Sequence, residues 1–511
     1  MSTLVEPEEE AVTEHDSRFH PSLGRFDIIL MSIAATLSID TIGQIAANGG
    51  AQAFTWTAVI ALTFMLPYGL IMAELGSSFP QEGGPYVWVR LAMGRFHAAL
   101  STMLYWVTNP VWLGGSLAFL AMATWSDFIV KTGSGSFGDY AFKLIFIWAA
   151  IVAAISSLRY GKWLLNIGAI VKVGLVVIFV VTLVAYASQH GVHGYAAGDF
   201  SPTTGGFLAS APVILFAVVG FEAQNGAAEE MRNPKRDVPI GIGSSALVSA
   251  LCYLVPIFGI LLVLPSDKIS GAAGFMDAIR TVFSVYGGAA TGLLKLVAVL
   301  FIFVLFTQGA AWMIASDRVQ AIAGADGTFP RYFGVFSKNL GTPLRVNILS
   351  GVVATVFTVV ATKVTSGSAG AAFEVVLNVA VSTLLLSYLW IFLAAWILRR
   401  KYPHAERPYR VPGGRIGMSV ATFVIYAWVA IGSWTTVFPD TIERLFGVGY
   451  DFEDSWGVSR LTFEVFTLGT LAVITICCLV GYLVGRRTDT GSGDFSAAIV
   501  AELEANEKAH A

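Results

Sequence analysis

Twelve long apolar runs, separated by short polar connections, restrict the fold of this chain more strongly than any other feature of its sequence. Most of them have about the 20 residues that a helix needs to cross a bilayer. Lipid offers no hydrogen bonds to a backbone, so a spanning segment is either a helix or part of a closed barrel. The runs show no period-2 alternation, which favours helices. Their approximate limits are 28–47, 54–74, 97–124, 141–157, 163–187, 207–227, 242–264, 291–316, 345–362, 373–398, 417–438 and 462–485.

The composition excludes most classes of soluble protein. Hydrophobic residues make up 55% of the 511 residues, and charged residues make up 13%, about half of the usual globular share. Cys252, Cys477 and Cys478 lie inside apolar runs, so neither a disulfide framework nor a cysteine metal site is predicted. A net charge of −3 provides no basic surface for nucleic acid. We therefore predict an all-α polytopic membrane protein with about twelve transmembrane helices, whose partner is the lipid bilayer and not nucleic acid.

The distribution of Lys and Arg predicts the orientation of these helices. The connections alternate between a set that holds 17 of these residues and a set that holds 6. Positively charged connections remain in the cytoplasm, and an even number of spans then places both termini there. The acidic segment 1–26 lacks the basic start and short apolar core of a signal peptide. We predict that residues 1–26 and 488–511 are disordered cytoplasmic tails.

Two apolar runs contain glycine together with a carboxylate, which a lipid-facing helix tolerates poorly. The first run carries SIDTIG at residues 38–43, and the sixth carries VGFEAQNG at residues 219–226. Interrupted segments at corresponding places in two halves of a chain indicate an inverted-repeat transporter with its binding site near the bilayer midplane. The carboxylates, Asp40 and Glu222, strengthen this interpretation because intramembrane ionisable groups are costly and usually functional.

Two further segments carry a resemblance to a known family. Residues 73–89 (AELGSSFPQEGGPYVWV) resemble the loop after the second helix of the amino acid–polyamine–organocation permeases. Residues 220–222 (GFE) and 228–240 (AEEMRNPKRDVPI) resemble the sixth helix of that family and the loop after it. The resemblance implies a five-plus-five inverted repeat with broken helices 1 and 6 and two extra helices. The corresponding parts are repeat 1 at 27–187, repeat 2 at 207–398 and the extra helices at 399–487.

Asp40 departs from the family pattern, in which the first helix usually breaks at a Gly-Ser-Gly-like run that holds a substrate carboxylate. One hypothesis is that Asp40 pairs with a substrate ammonium, as acidic residues in this position do in amine transporters of similar fold. The alternative is that Asp40 caps the second half of the broken helix, where exposed amides favour a negative charge. Both roles require a break at this point.

The resemblance also assigns roles to two buried charges. Glu222 matches a glutamate of the sixth helix that lines the substrate cavity and takes part in proton coupling; alternatively, it braces the unwound segment. Lys172 resembles the lysine that replaces a sodium ion in sodium-independent members, which makes it a candidate proton carrier. The alternative is that Lys172 snorkels to the cytoplasmic surface. Lys172 lies ten residues beyond Lys162, about 15 Å along a helix, which disfavours snorkelling.

Aromatic residues complete the predicted site. Phe216 matches an aromatic gate of the family, and Trp312 is a candidate second wall, although both could simply pack in the core. The charged segment 229–237 either gates the cytoplasmic side by pairing with Arg90 or Arg95 or forms a solvated loop. The predicted substrate-binding residues are Asp40, Thr41, Ile42, Gly43, Phe216, Gly220, Phe221, Glu222 and Trp312, and the predicted proton-coupling residues are Lys172 and Glu222.

We therefore expect a secondary active transporter that moves amino acids across the plasma membrane by alternating access and is coupled to protons. A polyamine or biogenic amine permease or exchanger is the alternative, and a transporter-like solute receptor represents a different class. The expected partners are a small-molecule substrate, either an amino acid or an organic amine, and protons. Because no catalytic motif, metal spacing or P-loop occurs, we expect no enzymatic activity, metal or cofactor.

Overall fold

The chain is built from helices. The computed structural model describes residues 22–156, 158–264, 269, 274–364, 369–449, 452–488 and 495–510. Within these residues no β-strand forms, which confirms the predicted all-α class. The α-helices are α1 (Arg25–Thr36), α2 (Ile42–Gly49), α3 (Ala51–Ile60), α4 (Leu66–Ser78), α5 (Gly84–Met93), α6 (Arg95–Trp112), α7 (Ala118–Phe128), α8 (Phe137–Ile155), α9 (Leu158–His190), α10 (Thr204–Ala217), α11 (Pro234–Val263), α12 (Gly274–Val282), α13 (Ala290–Ala325), α14 (Leu344–Val364), α15 (Ala369–Lys401), α16 (Gly414–Val437), α17 (Thr441–Leu445), α18 (Phe452–Trp456), α19 (Arg460–Thr488) and α20 (Phe495–His510).

Nine helical segments of the described chain are long and apolar enough to cross a membrane. Three of the twelve predicted runs are not among them: the first and the sixth, each of which is divided by a break, and the third. The third run lies on α6 and α7, which a π-helical turn at Leu113–Leu117 joins. Large apolar side chains stand exposed on the outer helix faces, as expected where lipid is the solvent; examples are Leu62, Ile145, Val181, Phe423 and Leu461. The polytopic architecture is confirmed, and the count of twelve spans stays a prediction.

Both predicted helix breaks are present. The first helical segment stops at Thr36 and resumes at Ile42. In the sixth run α10 ends at Ala217, and a 3-10 segment, Ala223–Glu230, follows. Gly220 lies between them with a φ of 118°, a left-handed conformation that favours glycine. A Cβ on Gly220 would also lie 2.9 Å from the Trp312 ring, so both backbone conformation and space require glycine here.

The packing of the long helices brings the two breaks together. Helix α1 packs against α9, α11 and α13, and α11 also packs against α4. Helix α15 packs against α6 and α16 on the other side of the bundle. The backbone that leaves the helical ladder is therefore surrounded by protein, which is where irregular backbone is tolerated at membrane depth.

Parts of both predicted tails lie within the described residues. Residues 1–21 lie outside the described residues, but Ser22 and Leu23 donate backbone hydrogen bonds to the carbonyl of Glu230. At the other end α20 is helical and packs against α5. Ile499 and Leu503, spaced i,i+4, give this helix a buried apolar stripe that the charge-rich composition obscured.

Candidate functional site

Tyr253 of α11 joins the two helix breaks. Its hydroxyl accepts a hydrogen bond from the Ser38 amide at 2.6 Å. The same oxygen lies 2.5 Å from the carbonyl oxygen of Ala217 and 3.1 Å from that of Thr36. One phenol thus binds backbone groups that the helices leave unpaired at both breaks, and it fixes the two broken segments relative to each other.

Lys172 lies against the first break. Its ammonium donates hydrogen bonds to the carbonyl oxygens of Ala34 at 2.9 Å and Leu37 at 2.6 Å. A third bond, of 2.8 Å, goes to Oε1 of Gln308 on α13. The side chain is fully buried, so the structure does not support the snorkelling alternative. Three oxygen ligands around one cation at unwound backbone resemble a cation site, with the ammonium in place of a metal ion.

Asp40 faces the same cluster from the break itself. Gln308 Nε2 donates to its Oδ1 at 2.9 Å, and Trp112 Nε1 donates to its Oδ2 at 3.3 Å. Gln308 therefore bridges Asp40 and Lys172 through the two ends of its amide. The N-cap residue of α2 is Thr41, whereas the Asp40 carboxylate turns towards α13 and α6. These contacts favour the ammonium-binding hypothesis over the capping alternative, and the role of Asp40 stays a prediction.

Trp112, which binds Asp40, packs against two further aromatic rings. The Trp112 ring lies 5.6 Å from Phe216 and 6.4 Å from Trp312, between centroids, and both pairs meet edge to face. The Trp312 indole donates to the carbonyl oxygen of Ala35 at 3.1 Å. Phe216 and Trp312 thus come together at the breaks, and Trp112 joins them. Faces of such rings attract cations.

Glu222 occupies a second buried cluster on the far side of Gly220. Tyr388 donates to Glu222 Oε1 at 2.8 Å, and Tyr68 donates to Oε2. The Tyr68 oxygen also accepts hydrogen bonds from the amides of Gly220 at 2.9 Å and Phe221 at 3.0 Å. These bonds brace the unwound segment, as the structural alternative for Glu222 predicts. A role for Glu222 in proton coupling stays a prediction.

The remaining predicted residues shape the backbone around these clusters. The Thr41 hydroxyl donates to the carbonyl oxygen of Ser38 within its own turn at 2.7 Å. Ile42 is fully buried, and Gly43 lies against Gly274 of α12. The Phe221 ring packs on Tyr68 at 5.0 Å between centroids. Their predicted contact with substrate stays a prediction.

Several residues of the site were not predicted from the sequence. Gln308 carried a usable signal, because an amide in the middle of an apolar helix needs a partner. Trp112, Tyr68, Tyr253 and Tyr388 carried none, since aromatic residues are common in membrane helices and only the tertiary contacts distinguish these four.

Ion pairs close the end of the bundle at which α1 begins. Arg318 of α13 lies between Glu82 and Glu230, 2.5 Å from an oxygen of each. Arg90 pairs with Asp326 at 3.1 Å, a partner that the sequence did not predict. Burial raises the pKa of the Glu82 carboxyl above its usual value, although Arg318 opposes the shift. The cluster therefore locks the loop before α5 and the segment after the sixth break onto α13.

A cavity of about 640 Å³ opens at the opposite end. It lies where α2 and α16 end and where α10 and α15 begin. We call it the outer cavity; its described lining consists of Gln44, Ala47, Asn48, Leu208, Ala209, Pro212, Val213, Ile269, Glu374, Leu377, Asn378, Val381, Thr435, Thr436, Pro439, Glu443 and Trp456. The described part of the chain is thus closed by ion pairs at one end and hollow at the other, as an alternating-access carrier requires in one of its states.

Comparison with known proteins agrees with this architecture. A family model described as amino acid permease matches residues 23–446. A probable agmatine/putrescine antiporter of Lactococcus lactis is 31% identical over 394 residues, which cover 76% of this chain and 82% of that protein. An uncharacterized transporter of Legionella pneumophila is 30% identical over 405 residues, which cover 78% of this chain and 85% of the relative.

More distant relatives have other substrates in their names. A methylthioribose transporter of Bacillus subtilis is 24% identical over 463 residues, which cover 81% of this chain and 92% of that protein. Among solved structures, a mutant manganese transporter of Eremococcus coleocola superposes with a TM-score of 0.55 at 12% identity. That match covers 93% of this chain and 97% of the other, and it supports the fold alone.

Proposed function

This chain belongs to the amino acid permease family, and from that premise we propose that it carries organic amines across the plasma membrane by alternating access. The substrate class is diamines and guanidino amines, and the binding site lies between the two helix breaks. The observation that carries the proposal is Asp40, a buried carboxylate at the first break that binds Trp112, against which Phe216 and Trp312 pack. A carboxylate next to aromatic faces is suited to bind an ammonium group.

The hydrogen bonds at the two breaks favour an amine over an ordinary amino acid as the substrate. A zwitterion needs a place for its carboxylate, and unwound backbone amides are the usual place. Here the amides of Gly220 and Phe221 already donate to Tyr68, and the amide of Ser38 donates to Tyr253. A carboxylate would have to displace a phenol, whereas an ammonium does not. The name of the Lactococcus lactis relative supports the same substrate class.

Amino acids are the second candidate. The amides of the first turn of α2 face the break, and a helix N-terminus attracts a carboxylate. A zwitterion would then place its ammonium towards Asp40 and its carboxylate towards Gly43.

We propose that transport is independent of sodium and that protons or a counter-substrate drive it. Lys172 already supplies a positive charge to the oxygens of Ala34, Leu37 and Gln308, which leaves no requirement for a sodium ion there. Glu222 is the candidate proton-exchanging group because its phenol partners can rearrange around either protonation state.

Uptake into proteoliposomes tests this function. We expect saturable uptake of labelled putrescine and agmatine, with a KM lower than that of alanine or leucine. Saturable uptake of neutral amino acids alone would favour the second candidate. Binding without uptake would indicate a solute receptor rather than a carrier.

The proposed orientation places both termini in the cytoplasm, on the side where 17 of the connecting Lys and Arg residues lie. Tags at Ser2 and His510 should be labelled by an impermeant reagent only after the cells are opened. Labelling of either tag on intact cells would contradict this orientation, and with it the assignment of the outer cavity to the external face.

Asp40→Asn tests the ammonium site directly. Asn keeps an oxygen for Gln308 but loses the charge, so we expect the KM for putrescine to rise about tenfold or more. The melting temperature should change much less than it does in Asp40→Ala, which removes the Asp40 acceptor and leaves the Gln308 amide nitrogen only the longer bond to Ser38 Oγ, of 3.2 Å. An unchanged putrescine KM in Asp40→Asn would exclude this role for the carboxylate.

A further inference from the structure

The outer cavity has an acidic lining. Its described residues include two carboxylates, Glu374 on α15 and Glu443 on α17, and no Lys or Arg. Two arginines near the cavity, Arg444 and Arg460, form ion pairs with Asp440, at 2.5 and 2.8 Å. A cleft lined by one sign of charge concentrates ions of the opposite sign.

Two buried acceptor atoms in this lining have no partner among the described residues. Glu443 is 4% exposed, and its Oε2 receives no hydrogen bond. Gln44 is 6% exposed; its amide nitrogen donates to Asn48 at 2.9 Å, and its Oε1 receives nothing. A buried acceptor without a donor costs about 1–3 kcal/mol. A ligand with N–H donors could bind to both atoms and satisfy them.

The outer cavity adjoins the central site. Gln44 follows Asp40 by four residues and lies in the first turn of α2. Val213 precedes Phe216 by less than one turn of α10. The outer cavity is therefore lined by the segments that carry Asp40 and Phe216, and the Phe216 ring packs against Trp112.

The walls of the outer cavity suit an aliphatic chain between two charged ends. Leu208, Pro212, Val213 and Leu377 add apolar surface to the lining that holds the two carboxylates, and Trp456 adds an aromatic side chain. Methylene groups gain from contact with such surface, while ammonium groups need the oxygens at its edges.

We propose that the outer cavity is a second binding site, which captures a diamine before it reaches the central site. The carboxylates of Glu374 and Glu443 pair with its ammonium groups, and the Gln44 amide oxygen, next to Glu374, accepts a further N–H bond. This site deepens the proposed function, on which its place in the transport path rests. Its occupant is an alkyl diamine, whose ammonium groups suit the two carboxylates and the two unpartnered acceptor atoms of the described lining.

Putrescine binding to the purified full-length protein in nanodiscs, measured by titration calorimetry, tests the capture site. We expect two binding events in the wild type and one in the Glu374→Gln/Glu443→Gln double variant. Each single variant should weaken the outer event about tenfold, a loss of one charged hydrogen-bonded contact. Glu464→Gln is the matched control, since Glu464 pairs with Arg460 and does not line the cavity. Two unchanged events in the double variant would overturn the proposal.

Transport by the same preparations separates this proposal from the proposed function. If the outer cavity is a second binding site, the putrescine KM should rise in Glu443→Gln and in Glu374→Gln, while the maximal rate is retained. If the wild type binds putrescine in a way that depends on Glu443 but transports no amine, the proposed function is contradicted and the proposed outer site is supported. Amine transport with unchanged binding and KM in both variants would contradict the site and keep the function.

Discussion

Replacing Arg318 by alanine is expected to destabilise the protein by about 3–5 kcal/mol and to abolish transport. Arg318 is 1% exposed and lies 2.5 Å from a carboxylate oxygen of both Glu82 and Glu230. Without the guanidinium, two buried carboxylates would face each other with no counter-charge. Arg318→Lys should restore little of the lost stability or transport, because one ammonium group cannot reproduce the planar guanidinium that reaches both carboxylates.

Lys235→Ala is the matched control for Arg318. Lys235 pairs with Glu406 at 2.5 Å, but the two side chains are 51% and 70% exposed. Exposed pairs contribute about 0–1 kcal/mol, so the melting temperature and the denaturant midpoint should barely change. Equal, small losses of stability in Arg318→Ala and Lys235→Ala would show that the buried cluster does not hold this end closed.

Replacing Lys172 is expected to have the second-largest effect. In Lys172→Met the aliphatic part of the side chain keeps its length, but the carbonyl oxygens of Ala34 and Leu37 lose their hydrogen-bond donor. Each unsatisfied buried acceptor costs about 1–3 kcal/mol, and Asp40 loses its balancing charge as well. We expect a strongly lowered melting temperature and no measurable uptake.

The double variant Lys172→Met/Asp40→Asn separates charge balance from hydrogen bonding. It removes both charges together, so it should be more stable than Lys172→Met alone, and the double-mutant cycle should give a favourable coupling energy. Coupling of zero would show that Asp40 and Lys172 act independently despite the Gln308 bridge. Wild-type uptake that rises steeply with sodium at fixed pH would contradict the account of Lys172 in any case.

The fold was largely predictable because lipid imposes strict rules on backbone and charge. Apolar length identified the helices, and Asp40 and Gly220 identified the two breaks, since each is costly in an unbroken lipid-facing helix. The helix α20 was not predicted, because the two apolar residues that dock it sit in a segment otherwise rich in charge.

The site was predictable in its charges and not in their partners. Asp40, Lys172 and Glu222 stand out because ionisable groups are rare at membrane depth. Their partners Gln308, Tyr68 and Tyr388 depend on how α4, α13 and α15 cross the breaks, and no local pattern encodes that crossing. For the same reason the outer cavity could not be predicted from the sequence, since its two carboxylates lie 69 residues apart on different helices.

The most direct test of the account is trans-stimulation of labelled putrescine uptake in proteoliposomes. Uptake is compared between vesicles preloaded with unlabelled putrescine and empty vesicles, with no ion gradient and no sodium. The account predicts that preloading accelerates uptake several-fold in the wild type and that Asp40→Asn weakens this effect at low putrescine concentration. Uptake that equals that of protein-free vesicles under both conditions, for putrescine and for agmatine, would contradict the claim that this chain carries organic amines.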